Sequence, residues 1–217
     1  MIPVNFSIEK ARLAQKKIAE KVVERDEIEL PLRLAAGVDV AYKNDKAFAA
    51  GVVVDVQTLS PVEVSVTEVE VKFPYIPTLL AFREVWPAFK ALKELRSTYQ
   101  VLFVDGNGRL HPYKAGFACH LGVVVGKPTI GVAKKLLVGS VERLSDKLGM
   151  VIYNGEVLAY AVKLGRSRRD IYISVGNKLT LNTALKLAIS LTKSNASLPE
   201  PIRLAHIYAT SARKRNS

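Results

Sequence analysis

The chain has 217 residues, 49% of them hydrophobic and 24% charged, which excludes a disordered composition and leaves room for a substantial core in one domain spanning 1–217. A formal net charge of +12 points to polyanionic partners, nucleic acid first and an anionic membrane surface second. With Cys119 as its one cysteine no intrachain disulfide can form. The residues after Met1 lack the basic region and apolar run of a secretion signal, and no apolar stretch approaches membrane-spanning length, so the expectation is a soluble, cytoplasmic protein.

Ser7 has the chemistry of an N-cap, and Ile8, Ala11, Ala14 or Gln15, Ile18 and Val22 follow at helical spacing, which predicts an amphipathic helix ending before Pro31. Leu34 to Tyr42, a turn at Lys43-Asn44-Asp45, and Lys46 to Gln57 read as an antiparallel hairpin. In the next strand Val62, Val64 and Val66 alternate with polar residues before Val69 and Val71 take the other phase, and a β-bulge near Thr67-Glu68 would explain the slip.

Phe73-Pro74-Tyr75-Ile76-Pro77 is a stiff loop, since two prolines in five residues restrict the backbone. Thr78 can cap a helix from Leu79 to Val85 or Trp86, and Pro87 then kinks it or starts a second helix to about Arg96. Val101 to Val104 reads as a buried central strand ending at Asp105; Gly106 and Gly108 let the backbone turn tightly and come close to a ligand, with Arg109 and His111 alongside. An ordinary tight turn with a surface Asp is the plainer alternative. Lys114 to Val125 is a candidate helix, Pro128 to Val132 a strand, Met150 to Val162 a hairpin turning at Asn154-Gly155, and Ile171 to Val175 a strand. Leu179 to Thr192 reads as the closing helix and residues 211–217 as a frayed basic tail. A meander followed by alternating strands and helices gives an α/β mixed sheet with helices on its faces.

Asp39 lies in the apolar strand Gly37-Val38-Asp39-Val40-Ala41-Tyr42, where an ionised carboxylate is costly unless it is paired or holds a metal. Glu84, in the helix after the proline loop, and Asp105 complete three carboxylates on three elements, the hard oxygen donors Mg²⁺ takes. Asp55 stands in a similar apolar run, and Glu84 could equally pair with Arg83 or Lys90. Lys134, after the strand Gly131-Val132-Ala133, either anchors a phosphate or begins a solvated run, and His206 alone is as compatible with a core or surface histidine as with a ligand.

Taken together, Gly37 to Tyr42, Pro74 to Pro77 running into Phe82-Arg83-Glu84, Val104 to Gly108 with His111-Pro112, Gly131 to Lys134, and Arg203 to His206 resemble the endonuclease V family, in that family's order and over about residues 7–210. The resemblance implies a ribonuclease H-like fold and Mg²⁺-dependent hydrolysis, with Mn²⁺ able to substitute, of the second phosphodiester bond 3′ to deoxyinosine in damaged DNA. It makes Asp39 and Asp105 the main metal ligands, Glu84 an acidic partner, His206 a further ligand or positioner, and Lys134 the phosphate anchor. Tyr75, Ile76 and Pro77 become a strand-separating wedge. Arg83, His111 and His120 would contact the strand or the site, and backbone groups around Gly106, Gly108 and Gly116 would read the base. The implied protein is a monomer, with inosine-containing RNA left open as a second substrate. Asn107 stands where the family usually has histidine, Thr78 where it has glycine, and Ser174 to Lys178 departs from the usual proline, glycine, histidine and arginine pattern. Other readings to separate are a catalytically silent nucleic-acid-binding module of the same fold and another ribonuclease H-like nuclease, such as a junction resolvase. A binding module has no use for acids beside phosphate.

Overall fold

A computed structural model describes residues 7–71 and 73–215. Its frame is one nine-stranded sheet in the order β3-β2-β1-β4-β5-β9-β8-β7-β6. Strands β1 (Leu34–Lys43), β2 (Lys46–Asp55) and β3 (Pro61–Glu70) form the expected meander, and β4 (Val101–Asp105) and β5 (Thr129–Ala133) run parallel to β1. Strands β6 (Ser140–Arg143), β7 (Leu148–Tyr153), β8 (Glu156–Val162) and β9 (Ile171–Asn177) continue the sheet antiparallel from β5.

Helices cover both faces because the central strands are apolar on both sides. Ala36, Val38, Leu102 and Val104 pack under α2 (Leu80–Lys93) and α3 (Phe117–Val125), while Ala35, Val101, Phe103, Ile130 and Val132 pack under α4 (Leu181–Ser190) and α5 (Glu200–Arg215). Helix α1 (Ile8–Lys21) is capped by the Ser7 hydroxyl accepting from the Lys10 amide. Gly37 lets α5 approach β1, since a Cβ there would lie 2.2 Å from the Pro201 carbonyl oxygen. No helix among the described residues is long and apolar enough to cross a membrane.

Several expectations are corrected. The β2–β3 register shifts at Val53/Val54 and not at Thr67-Glu68; β3 keeps one phase, with Ser65 and Val69 buried and Val62, Val64 and Val66 on the exposed face. Alternating valines on a solvated face imitated a slip. Thr78 does not cap α2: it takes φ 67°, its hydroxyl is buried without a partner, and Leu79 is the N-cap with no side-chain bond. Pro87 lies buried inside a single α2, so of its two expected roles the start of a second helix is excluded, and α3 starts at Phe117 and not at Lys114. Helix α4 does not close the chain. The stretch from Glu200 to Arg215 is a continuous helix with Ala209 and Ala212 buried, so the frayed tail is wrong as far as Arg215; the rest of it lies outside the described residues. Small buried residues make a weak apolar stripe, which is why α5 does not stand out in the sequence.

Candidate active site

Parallel pairing fixes the centre of the site. Val38 is the last residue of β1 paired with β4, opposite Val104, so Asp39 lies on β1 beside Asp105 at the carboxyl end of β4, where open α/β sheets place their ligands; β1 itself runs on to Lys43. Helix α5 crosses beneath β1 and brings His206, whose Nδ1 lies 2.8 Å from Asp39 Oδ2. Ligand atoms of Asp39, Asp105 and His206 all lie within 4.8 Å of one another. Lys134 Nζ donates to Asp105 Oδ2 from the end of β5.

Glu84 lies behind this group on α2, buried, and outside the set of three. Burial, then the nearby charges of Asp39 and Asp105, push its carboxyl well above the usual range. Asp105 is raised by burial and by Asp39, against the pull of Lys134. Tyr42 closes the corner, its phenol raised by burial and by Glu84, with Arg83 Cζ 4.3 Å from its ring centre. Three crowded carboxylates, offset by Lys134 at Asp105 and Arg83 near Glu84, form a site that a cation would relieve. Two carboxylates and an imidazole converging on one point fit a divalent cation.

The proline loop presents Tyr75, 68% exposed, with Pro77 exposed and Ile76 half-buried. Arg83 pins this loop by donating from Nη1 to the Phe73 carbonyl (2.6 Å). Under Tyr75 lies a cavity of about 120 Å³ whose polar rim is Gln15, Thr78, Asn107, His111 and Gly116. That is small beside the roughly 300–1,000 Å³ of drug-sized sites and suits one planar ring. The Thr78 carbonyl accepts from Gln15 Nε2 at 2.5 Å and lies 3.0 Å from His111 Nε2, while His111 Nδ1 accepts from the Tyr113 amide. This bonding assigns His111 the neutral Nε2–H tautomer, and burial lowers its pKa to about 4.

Not every candidate reaches the site in the expected way. Gly108 packs closely against protein: a Cβ there would sit 2.1 Å from the Val175 carbonyl oxygen. Gly106 packs on Phe117, and only Gly116 of the three glycines lines the cavity. His120 is buried, lowered to about 4 by burial, packed edge-on to Phe82, and away from the three-residue group. Sequence reasoning missed Gln15, whose one signal is a polar residue on the apolar stripe of α1. It also treated Ser174 and Asn177 only as departures. Ser174 Oγ accepts from the Gly108 amide and fixes the glycine loop, while Asn177 ties Val23 to Gly122.

Comparison with known proteins gives a consistent result. Residues 16–207 match the family model described as Endonuclease V. The chain is 58% identical to the Endonuclease V of Thermofilum pendens over 99% of this chain and 93% of that protein. It is 38% identical to that of Dictyoglomus thermophilum over 91% and 87%. The crystal structure of the Streptomyces avermitilis Endonuclease V superimposes with a TM-score of 0.88 at 33% identity, covering 99% of this chain and 97% of that one. The Ciona intestinalis Endonuclease V, crystallised with a 24mer DNA containing an inosine followed by a ribo-adenosine, gives 0.85 at 28% identity, covering 97% and 99%.

Proposed function

The chain belongs to the endonuclease V family, and on that premise we propose that it is a DNA repair endonuclease that nicks the second phosphodiester bond 3′ to deoxyinosine with the help of Mg²⁺. The observation that carries this reading is the meeting of Asp39, Asp105 and His206 where β1 and β4 lie side by side, with Asn107, two residues past Asp105, lining the Tyr75 cavity. A silent binding module would have no reason to crowd acids where phosphate must pass.

In this reading Asp39 and Asp105 hold the cation and His206 orients Asp39 or joins the ligand set, with Glu84 as the acidic partner behind them. When bound, the cation supplies Lewis-acid stabilisation of charge on the scissile phosphate and activation of water at neutral pH. Lys134 offers an ammonium that an incoming phosphate would share with Asp105. Tyr75, with Ile76 and Pro77, wedges the duplex open, and the flipped base enters the cavity edged by Gln15, Thr78, Asn107 and Gly116. Unpairing costs least at a poorly paired base, which favours inosine over the normal pairs. His111, held neutral, keeps the Thr78 carbonyl in place and brings no charge into the pocket. We take the enzyme to act as a single-domain monomer in the cytoplasm, with inosine-containing RNA a second substrate for the same pocket. The test is a nicking assay on a duplex carrying one deoxyinosine, with Mg²⁺, Mn²⁺ or EDTA. Cutting with either metal and none in EDTA is expected; cutting undiminished in EDTA would remove the metal from the mechanism.

A further inference from the structure

Lys134, the cation on Asp105, also lines a basic groove that shares no lining residue with the Tyr75 cavity. The Tyr75 cavity is walled by Leu80 and Ala81 of α2 and Phe117 of α3, on one face of the sheet. The groove, about 530 Å³, is floored by Ile171 and Leu198, which belong to the core on the α4 and α5 face. It continues past Arg166 and Leu198 into a second hollow of about 440 Å³ that reaches Lys193 and Arg203.

Only part of its positive charge is spent on internal pairing, with Lys134 on Asp105. Lys193 and Arg203 share Glu200, and Asp170 is taken by Arg143. Among the described residues, Lys135, Arg166, Arg168 and Arg169 make no ion pair, and all four are exposed. Four unneutralised cations along one groove repel one another, and that field attracts a polyanion. The segment carrying three of them is fixed in place. Gly165 takes φ 49° where a Cβ would lie 2.3 Å from the Ala196 carbonyl oxygen, the Arg166 amide donates to that oxygen, and the Ser167 hydroxyl donates to the Arg169 carbonyl.

We propose that this groove, from Lys135 to Arg166, Arg168 and Arg169, holds the phosphodiester backbone of the cut strand on the 3′ side of the nick. The assignment rests on the endonuclease reading: with the base in the cavity on one face and cutting 3′ to it at the strand ends, the chain that leaves toward the other face is the 3′ segment. The contacts are to phosphate, so the groove adds affinity without reading sequence.

The test compares the unmodified protein with R166A/R168A/R169A on two deoxyinosine duplexes, one with a long arm 3′ to the lesion and one ending just beyond the scissile bond. Binding is measured in EDTA over a range of salt. Removing three phosphate contacts should make the slope of log K against log salt shallower by about 2.7 on the long arm, and leave the short-arm duplex unaffected. R166K/R168K/R169K should keep the original slope. Should the alanine variant fail to fold, the exposed R168A alone should lower the slope by about 0.9. An unchanged slope on the long arm, an equal loss on the short arm, or lysine replacements as weak as alanine would overturn the proposal. The parent reading fails separately: no inosine-directed nicking by the unmodified chain would sink it, and this strand direction with it.

Discussion

Asp39, Asp105, Tyr75 and Thr78 each carry a separable consequence. Alanine at Asp39 or Asp105 should reduce nicking by roughly a thousandfold or more, about 4 kcal/mol of transition-state stabilisation, while binding to inosine DNA in EDTA persists. Single-turnover nicking with parallel binding measurements checks this; retained cutting in either variant would take that residue out of the site. Tyr75→Ala should leave metal binding intact and weaken inosine duplex binding by about 1–3 kcal/mol, the range for one base stacked on an aromatic ring. Equal selectivity of variant and parent for inosine over undamaged duplex would refute the wedge. Thr78 is a β-branched residue at φ 67° with a buried, unpaired hydroxyl, a conformation that costs roughly 1–2 kcal/mol away from glycine. Thr78→Gly should therefore raise stability by about 1 kcal/mol in denaturant melts; lower stability would mean the hydroxyl has a partner. The acids were legible because a carboxylate in an apolar strand needs a reason, whereas Gln15 was not, because nothing local tells a satisfied polar residue from a helix surface position.

The meander, the strand ending in Asp105 and the helix carrying Glu84 follow from local periodicity and proline placement, so they could be read before any coordinates. Helix α5 could not, because beyond Ile202 its buried residues are alanines alone, although it carries His206 and packs closely over Gly37. Gly37→Ala would drive a methyl into the Pro201 backbone. The expected cost is about 1–3 kcal/mol, a melting temperature lower by roughly 2–12 °C, together with weaker metal binding as His206 moves from Asp39. Normal melting and metal binding would show that α5 yields freely. The other helix on that face depends on pH at its start. Asp26 accepts from the Thr180 amide and the Thr180 and Thr183 hydroxyls; burial raises its pKa, but these bonds outweigh burial and hold it below the usual carboxylate range. A lowered folded-state pKa stabilises above the unfolded value, near 4, and the benefit is lost as the pH falls through the folded value. Asp26→Asn should thus be less stable than the parent at pH 7 and indistinguishable from it in strong acid, as followed by thermal melts across pH. A constant deficit at every pH would assign the effect to packing.

For the molecule as a whole, charge and topology act together. The net charge of +12 draws in a polyanion, and adjacent central strands gather Asp39 and Asp105 with His206 at one point, where the proposed function has that polymer cut. Composition announced the partner class, and five short segments in order announced the family, but neither could show a cavity under Tyr75 and a separate basic groove that begins at the lysine paired with Asp105. That arrangement arises from strand order and crossover helices, contacts far apart in sequence. The central claim is that those acids, holding a divalent cation, cut beside a deaminated base. It is tested most directly by mapping the product on a duplex with a single deoxyinosine, with Mg²⁺ present and then chelated. A single nick at the second phosphodiester 3′ to the inosine, abolished by EDTA and restored by added Mg²⁺, is expected; cleavage that ignores the lesion, or that survives chelation, would contradict it.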